Sequence, residues 1–309
     1  MTSPNPMNTS RLPTTAVTMA GRRPEVANRS HARLRSFFAG LACIAMLAVS
    51  PVGTQSADGA ELSGQLTVTG SSTIAPLVTE IGRRFEELHP EVRVDIQTGG
   101  SSRGIADARN GTADIGMVSR ALKDTESDLT PFTIARDGLA IIVNEANPIA
   151  ELSDAQIADI YTGRTGNWQD VGGPDQQIMV VNKADGRSTL EIFLEHLELK
   201  TTDVQAHAVI GDNEQGVKMV AGNAAAIGYV SIGAAEFHES IGTPIRAIGF
   251  DGKEPTTESV AKGSYSPIRD LNLVMSKAPE GLAGEFIDFA LSPDVHDLVK
   301  EQFFVPVTR

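Results

Sequence analysis

The sequence predicts an α/β fold with mostly parallel sheets, divided into two lobes. Short β-type runs alternate with helical patterns along most of the chain, which is the order that strands covered by helices require. The chain has 309 residues, more than one ordinary domain holds. No long linker interrupts it after residue 62, so the lobes are expected to be joined by strands, near 138–144 and 243–250. A ligand is then expected in the cleft, at helix N-termini beyond strand ends.

The elements follow in order. "QLTVT" (65–69) is strand-like and precedes a helical stretch at 75–88. "VRVDIQT" (92–98) precedes the helical "RGIADARN", and "ADIGMVS" (113–119) and "GLAIIVN" (138–144) are strand-like. "SDAQIADIYTG" is a helix with Ser153 as its cap and Gly163 past its end. "QIMVVNK" (177–183) is a strand, and "STLEIFLEHLEL" a helix with Leu190, Phe193, Leu194 and Leu197 on one stripe. "VKMVAGN" is helical; "AIGYVSI", "IRAIGF" (245–250) and "DLNLVMS" (270–276) are strands; "EGLAGEFIDFALS" and "DVHDLVKEQ" close the chain as helices.

The first 57 residues differ from the rest. Arg29, Arg33 and Arg35 precede the apolar run "FFAGLACIAMLAV" (37–49), and the small, polar "SPVGTQSADGA" follows. Basic flank, short apolar run and small-residue exit predict an N-terminal extension and secretory signal peptide over 1–57, cleaved after Ala57. The alternatives are an uncleaved anchor, although the run is shorter than the roughly 20 residues of a membrane span, and a lipoprotein. Cys43, the only cysteine, lies inside the run and has Gly40 rather than an aliphatic residue three places earlier, against lipidation. Cleavage removes it, leaving no disulfide and no thiol chemistry. Six arginines and one glutamate in 1–57 leave the remainder at −18, against −13 for the whole chain. Such an acidic surface excludes nucleic acid as a partner and confines any anion site to a local pocket.

Three strand-to-helix turns carry small hydroxyls: "GSSTIAP" (70–76), "GGSSRG" (99–104) and "ADGRST" (184–189). A fourth segment, "VSRAL" (118–122), places Ser119 and Arg120 at a strand exit. A helix start offers unpaired N–H groups and positive partial charge, which suit an anion, and Ser and Thr hydroxyls donate to its oxygens. The competing role for each hydroxyl is an N-cap. "GGSSRGIA" fails as a nucleotide-phosphate loop, since Ile105-Ala106 stands where Lys-Ser/Thr is needed. Gly100-Ser101-Ser102-Arg103-Gly104 fits GxSxG, so an exported serine hydrolase using Ser102 is an alternative function. The six histidines are scattered with no metal-binding spacing, so neither metal nor cofactor is expected.

Taken together these turns resemble the phosphate-binding proteins of bacterial phosphate ABC transporters. The similarity spans 62–309 through "TGSSTIAPL", "GGSSRGIAD", "TADIGMVSRAL", "IIVNEANPIAELSDAQIADIYTGRTGNWQDVGG", "NKADGRSTLEIF", "AIGYVSI", "DGKEPTTESVAKGSYSPIRDL" and "LSPDVHDLVKEQFFVPV". The resemblance implies a type II periplasmic-binding-protein fold, each lobe a mixed sheet flanked by helices, with the ligand in the interlobe cleft. Lobe I would be 62–142 plus 246–309 and lobe II 143–245. It further implies a non-enzymatic, monomeric periplasmic receptor that hands phosphate to an ABC permease; a same-fold receptor for another oxyanion is a further alternative.

Carried over by position, Thr73, the Ile74 backbone, Ser101 and Ser119 would bind phosphate from lobe I, with Ser72, Ser102 and Arg120 beside them. Lobe II would add Lys183, Asp185, Ser188 and Thr189. The family usually has Arg in place of Lys183 and Gly-Ser-Gly-Thr in place of Gly186-Arg187-Ser188-Thr189. Arg187 is therefore expected to enter the pocket as a replacement cation, the alternative being solvent or a pair with Glu191. Asp185 is expected to accept the proton of hydrogen phosphate and so reject sulfate; its alternative is to brace the turn or neutralise Lys183.

Overall fold

The structure is a computed structural model and describes residues 61–307. The expected signal peptide, Cys43 and the expected cleavage position after Ala57 lie outside the described residues. The strands are β1 (Gly64–Gly70), β2 (Val92–Thr98), β3 (Ile115–Val118), β4 (Thr130–Asn144), β5 (Met179–Lys183), β6 (Ala208–Ile210), β7 (Ala226–Ser231), β8 (Ile245–Ile248), β9 (Ile268–Met275) and β10 (Val305–Pro306). The helices are α1 (Ala75–Leu88), α2 (Ser101–Asn110), α3 (Asp154–Tyr161), α4 (Ser188–His196), α5 (Asn213–Ala221), α6 (Ile232–Ser240), α7 (Thr257–Ala261), α8 (Gly281–Ala290) and α9 (His296–Glu301).

Hydrogen bonding orders the strands β2-β1-β3-β9-β4-β7-β5-β6, with β8 and β10 also on β4. The sheet is mixed, as the family resemblance implies, and not mostly parallel, as the alternation of strands and helices alone suggests. Pairs β1/β2, β1/β3, β5/β6 and β5/β7 are parallel. Every pair made by β4 or β9 is antiparallel. Helical crossovers make the outer strands parallel, whereas β4 and β9 run antiparallel to each other and to their other neighbours through the middle.

β4 is shared between two cores. Its residues 130–138 pair with β9, and its residues 139–144 pair with β7 and β8. Ile134 and Ala135 pack in a first cluster with Val68, Leu77, Ile81, Phe85, Leu273 and Phe286. Leu139 to Val143 pack in a second, with Trp168, Phe193, Val217, Ile227 and Tyr229. Within it the Phe193 and Tyr229 rings stack at 4.1 Å, and the Trp168 indole N–H donates to the Ala225 carbonyl at 2.9 Å. Phe250, Val260 and Tyr265 also belong to the second cluster, so the chain does not return to the first core at 243–250 but only after Tyr265.

Helix ends divide into two kinds. Ser153, Asp212, Ser231 and Thr256 cap α3, α5, α6 and α7 through their side chains. No side chain caps α1, α2 or α4. The three hydroxyl-rich turns therefore leave their helix starts open, as do the starts of α8 and α9, which carry no such turn.

Candidate oxyanion-binding site

The open starts of α1, α2 and α4 border one cavity with about 210 Å³ of empty space. The space is far smaller than an organic-ligand pocket. From the first core come Ser71, Ser72, Thr73, Ser101 and Ser119; from the second come Lys183, Arg187, Ser188 and Thr189. Gly100, at φ 94°, lets the α2 turn approach this space without a side chain.

The first-core hydroxyls form a fixed chain. Ser71 Oγ donates to Ser119 Oγ at 2.9 Å and accepts from Thr73 N at 3.2 Å, and Ser101 Oγ accepts from Ser119 N at 3.1 Å. On the opposite wall Ser188 Oγ is buried and has no hydrogen-bond partner. A buried hydroxyl left unpaired costs about 1–3 kcal/mol, so its position is one that a ligand oxygen would relieve.

Two cations, Lys183 and Arg187, line the second wall, and Arg269 stands behind them from β9 of the first core. Lys183 ends β5, held by a hydrogen bond from its N–H to Tyr229 Oη at 3.3 Å, while Tyr229 Oη donates to Asn182 Oδ1 at 2.6 Å. Its Nζ donates to the Asp212 carbonyl at 3.1 Å, and the residue is only 3% exposed. Burial, with Arg269 and Arg187 nearby, pushes its pKa from 10.5 down to about 7. Arg269, from β9, donates twice to Asp137 Oδ2, at 2.8 and 3.0 Å, and reaches Thr189 Oγ1 at 3.1 Å and Thr73 Oγ1 at 3.4 Å. Asn213 Nδ2, at the start of α5, also reaches Thr73 Oγ1 at 3.4 Å.

Two further contacts bring α4 and its turn against the first-core loops. Ser102 N donates to the Gly186 carbonyl at 3.3 Å. Glu191 Oε2 lies 3.0 Å from Arg120 Nε and 2.7 Å from Lys123 Nζ. The first of these is an ion pair in distance but is not aligned as a hydrogen bond.

A PBP superfamily domain matches residues 55–294. The phosphate-binding protein PstS of Bacillus subtilis is 32% identical over 263 residues, covering 82% of this chain and 85% of that protein. The chain belongs to the PstS phosphate-binding protein family. A phosphate ABC transporter substrate-binding protein from Clostridium perfringens, with bound phosphate, superposes with a TM-score of 0.73 at 33% identity, over 79% of this chain and 100% of that one. An ABC-type phosphate transport receptor from Vibrio cholerae gives 0.65 at 34% identity, with coverage of 79% and 100%. These neighbours are two-lobed, type II periplasmic-binding-protein folds, and the fold described above is theirs.

Within this chain the expected site residues divide. Ser72, Thr73, Ser101, Ser119, Lys183, Arg187, Ser188 and Thr189 all line the cavity. Arg187 turns inward rather than to Glu191, which Arg120 and Lys123 occupy. The Ile74 side chain is in the first core, so only its backbone, at the start of α1, faces toward the site. Arg120 is corrected: it does not line the cavity, because Glu126 holds its guanidinium in a buried two-pronged pair at 2.7 and 2.8 Å. Ser102 is also corrected: unlike Ser101 it does not line the cavity, and it is exposed beside Gly186 of the α4 turn. Its hydroxyl contacts no histidine among the described residues. His196 faces Asp154, His207 accepts from Val180 N, and His238 faces Thr243 and Glu214. These three histidines are thus engaged away from Ser102.

Asp185 is the third correction. It is exposed at the tip of the turn and does not line the cavity, because Gly186, at φ 80°, reverses the chain and sends Arg187 inward instead. Sequence reasoning missed Ser71, Gly100, Gly211, Asn213 and Arg269. Arg269 sat inside the quoted "SYSPIRDL", and its signal was an arginine at the entry of an apolar strand.

Proposed function

We propose that the protein is an exported, monomeric receptor that captures inorganic phosphate and delivers it to an ABC permease in the membrane. The observation that carries this is the convergence of three uncapped helix starts and two buried-side cations on one small cavity, in a chain of the PstS family. Aligned N–H groups and hydroxyls hold the anion, with few full charges, as helix N-termini do in general. We propose lobes of 62–138 with 268–307, and 139–265, following the two cores rather than the sequence-based limits. Ligand binding favours the closed arrangement because only there do both walls touch the same ion.

Calorimetry against phosphate, arsenate, sulfate, molybdate and a phosphonate tests the assignment. One phosphate per chain, bound more tightly than sulfate and molybdate, is expected. Heat from molybdate or a phosphonate alone would transfer the site to another oxyanion, and no heat from any of them would end the proposal.

A further inference from the structure

Near neutral pH phosphate carries a proton, its second pKa being roughly 7, close to that of a phosphate ester, while sulfate carries none. A cavity that prefers phosphate gains from a group able to accept that O–H. No carboxylate lines the cavity. Asp185 is exposed, Asp137 is taken up by Arg269, and the Asp212 side chain caps α5 by accepting from Gln215 N. Arg187 and Arg269 cannot give up a proton in a protein. Ser71, Ser101 and Ser119 are chained to one another, and the other serine and threonine hydroxyls are far weaker bases than an amine. The base left in the cavity is Lys183.

Its surroundings favour a neutral amine before any anion arrives. Arg269 faces it from β9 and Arg187 from the turn before α4, both positive. From α5, Asp212 presents a carbonyl at 3.1 Å and a more remote carboxylate that opposes the two arginines. From β7 comes the neutral Tyr229, whose phenol burial pushes above its ordinary range. With one carbonyl as its hydrogen-bond partner, the nitrogen keeps capacity directed at the cavity.

We propose, resting on the phosphate assignment, that Lys183 is the residue that discriminates phosphate from sulfate. As a neutral amine it accepts the O–H of hydrogen phosphate, and only as an ammonium does it accommodate sulfate. The proton balance is closed within the site. The amine either accepts the hydrogen bond or takes the proton outright, leaving an ammonium beside the phosphate trianion. The number of protons is the same in both, and no other reactant enters. Sulfate brings no proton, so its complex with the ammonium must draw one from water whenever the free protein holds the neutral amine.

Proton inventory tests this on the wild-type chain. Calorimetry at pH 8.5 in two buffers of different ionisation enthalpy should show about one proton taken up per sulfate and none per hydrogen phosphate. The ratio of phosphate to sulfate affinity should rise by about tenfold per pH unit between pH 7.5 and 9, as one titrating group dictates. In Lys183→Arg, which is never neutral, the ratio should be flat with pH. Zero proton uptake with sulfate, a flat wild-type ratio, a slope that persists in Lys183→Arg, or no sulfate binding at pH 6 would each overturn the proposal. The wild-type inventory stands even if the arginine variant fails to fold. Phosphate binding with a flat ratio overturns the role of Lys183 alone. No phosphate binding at any pH overturns the phosphate assignment, and this inference with it.

Discussion

Ser188 shows how a single side chain can be a cost to the empty protein and a gain to the occupied one. Its hydroxyl is buried without a partner. Ser188→Ala should therefore leave the ligand-free melting temperature unchanged or slightly raised. It should weaken phosphate binding by about tenfold or more, the worth of a hydrogen bond to a charged group. Calorimetry and thermal melts check both halves. Lys183 makes a related statement in pH. Its pKa is about 7 folded against an ordinary 10.5, so between these values the unfolded chain binds the extra proton. Stability then rises with pH through that window, since the sign follows the state that holds more protons. Urea unfolding of phosphate-free protein at pH 7 and pH 9.5 should show this increment, and Lys183→Met should lack it. Asp185 carries the opposite expectation. It is exposed and outside the cavity, so Asp185→Asn should leave the phosphate-to-sulfate ratio within about twofold, as surface substitutions usually do. That an acid sits in the turn was legible in the sequence, but its direction was not. Gly186 at positive φ decides which of Asp185 and Arg187 faces inward, and backbone sign is not written in residue type alone.

At the scale of elements, the three open helix starts were legible as hydroxyl-rich turns. Whether those hydroxyls capped their own helices was not, because Ser and Thr serve both roles. The absence of caps on α1, α2 and α4, beside capped α3, α5, α6 and α7, separates the two. Some elements stayed hidden. The first half of β4, "TPFTIARD", carries a proline, an arginine and an aspartate, yet it pairs with β9 because Asp137 is neutralised by Arg269 from that strand. Helix α6 follows β7 with only the Ser231 cap between them, so "AIGYVSIGAA" gives one unbroken run of small and apolar residues. The α2 turn offers a prediction that touches no hydroxyl. A Cβ at Gly100 would stand 2.7 Å from the Gly186 carbonyl and 2.9 Å from Arg187 Cδ, at a backbone angle that disfavours any side chain. Gly100→Ala should hold the α2 and α4 turns apart and lower phosphate affinity by about tenfold or more. Small-angle scattering at saturating phosphate should then give a larger radius of gyration than wild type; an unchanged affinity would show that the turns do not need to meet.

At the scale of the whole molecule, charge and site oppose each other. Most of the chain is strongly acidic, yet the cavity wall gathers Lys183 and Arg187 with Arg269 behind them. Local dipoles and nearby cations act at a few ångströms, while the acidic surface is screened beyond roughly 8–10 Å in ordinary salt. The two-lobed α/β class was legible from the alternation of strands and helices. The return point of the chain was not, because Val260 and Tyr265 join the second core only through tertiary packing. The same arrangement gives the molecule's one tryptophan an unusual vantage. Trp168 is fully enclosed in the second core, and the first core holds no such fluorophore. Emission from it during denaturation thus watches one half of the protein, whereas far-ultraviolet dichroism watches all of it. Because β4 threads both halves, the two signals should follow a single curve, and a lag between them would mean that each half melts on its own.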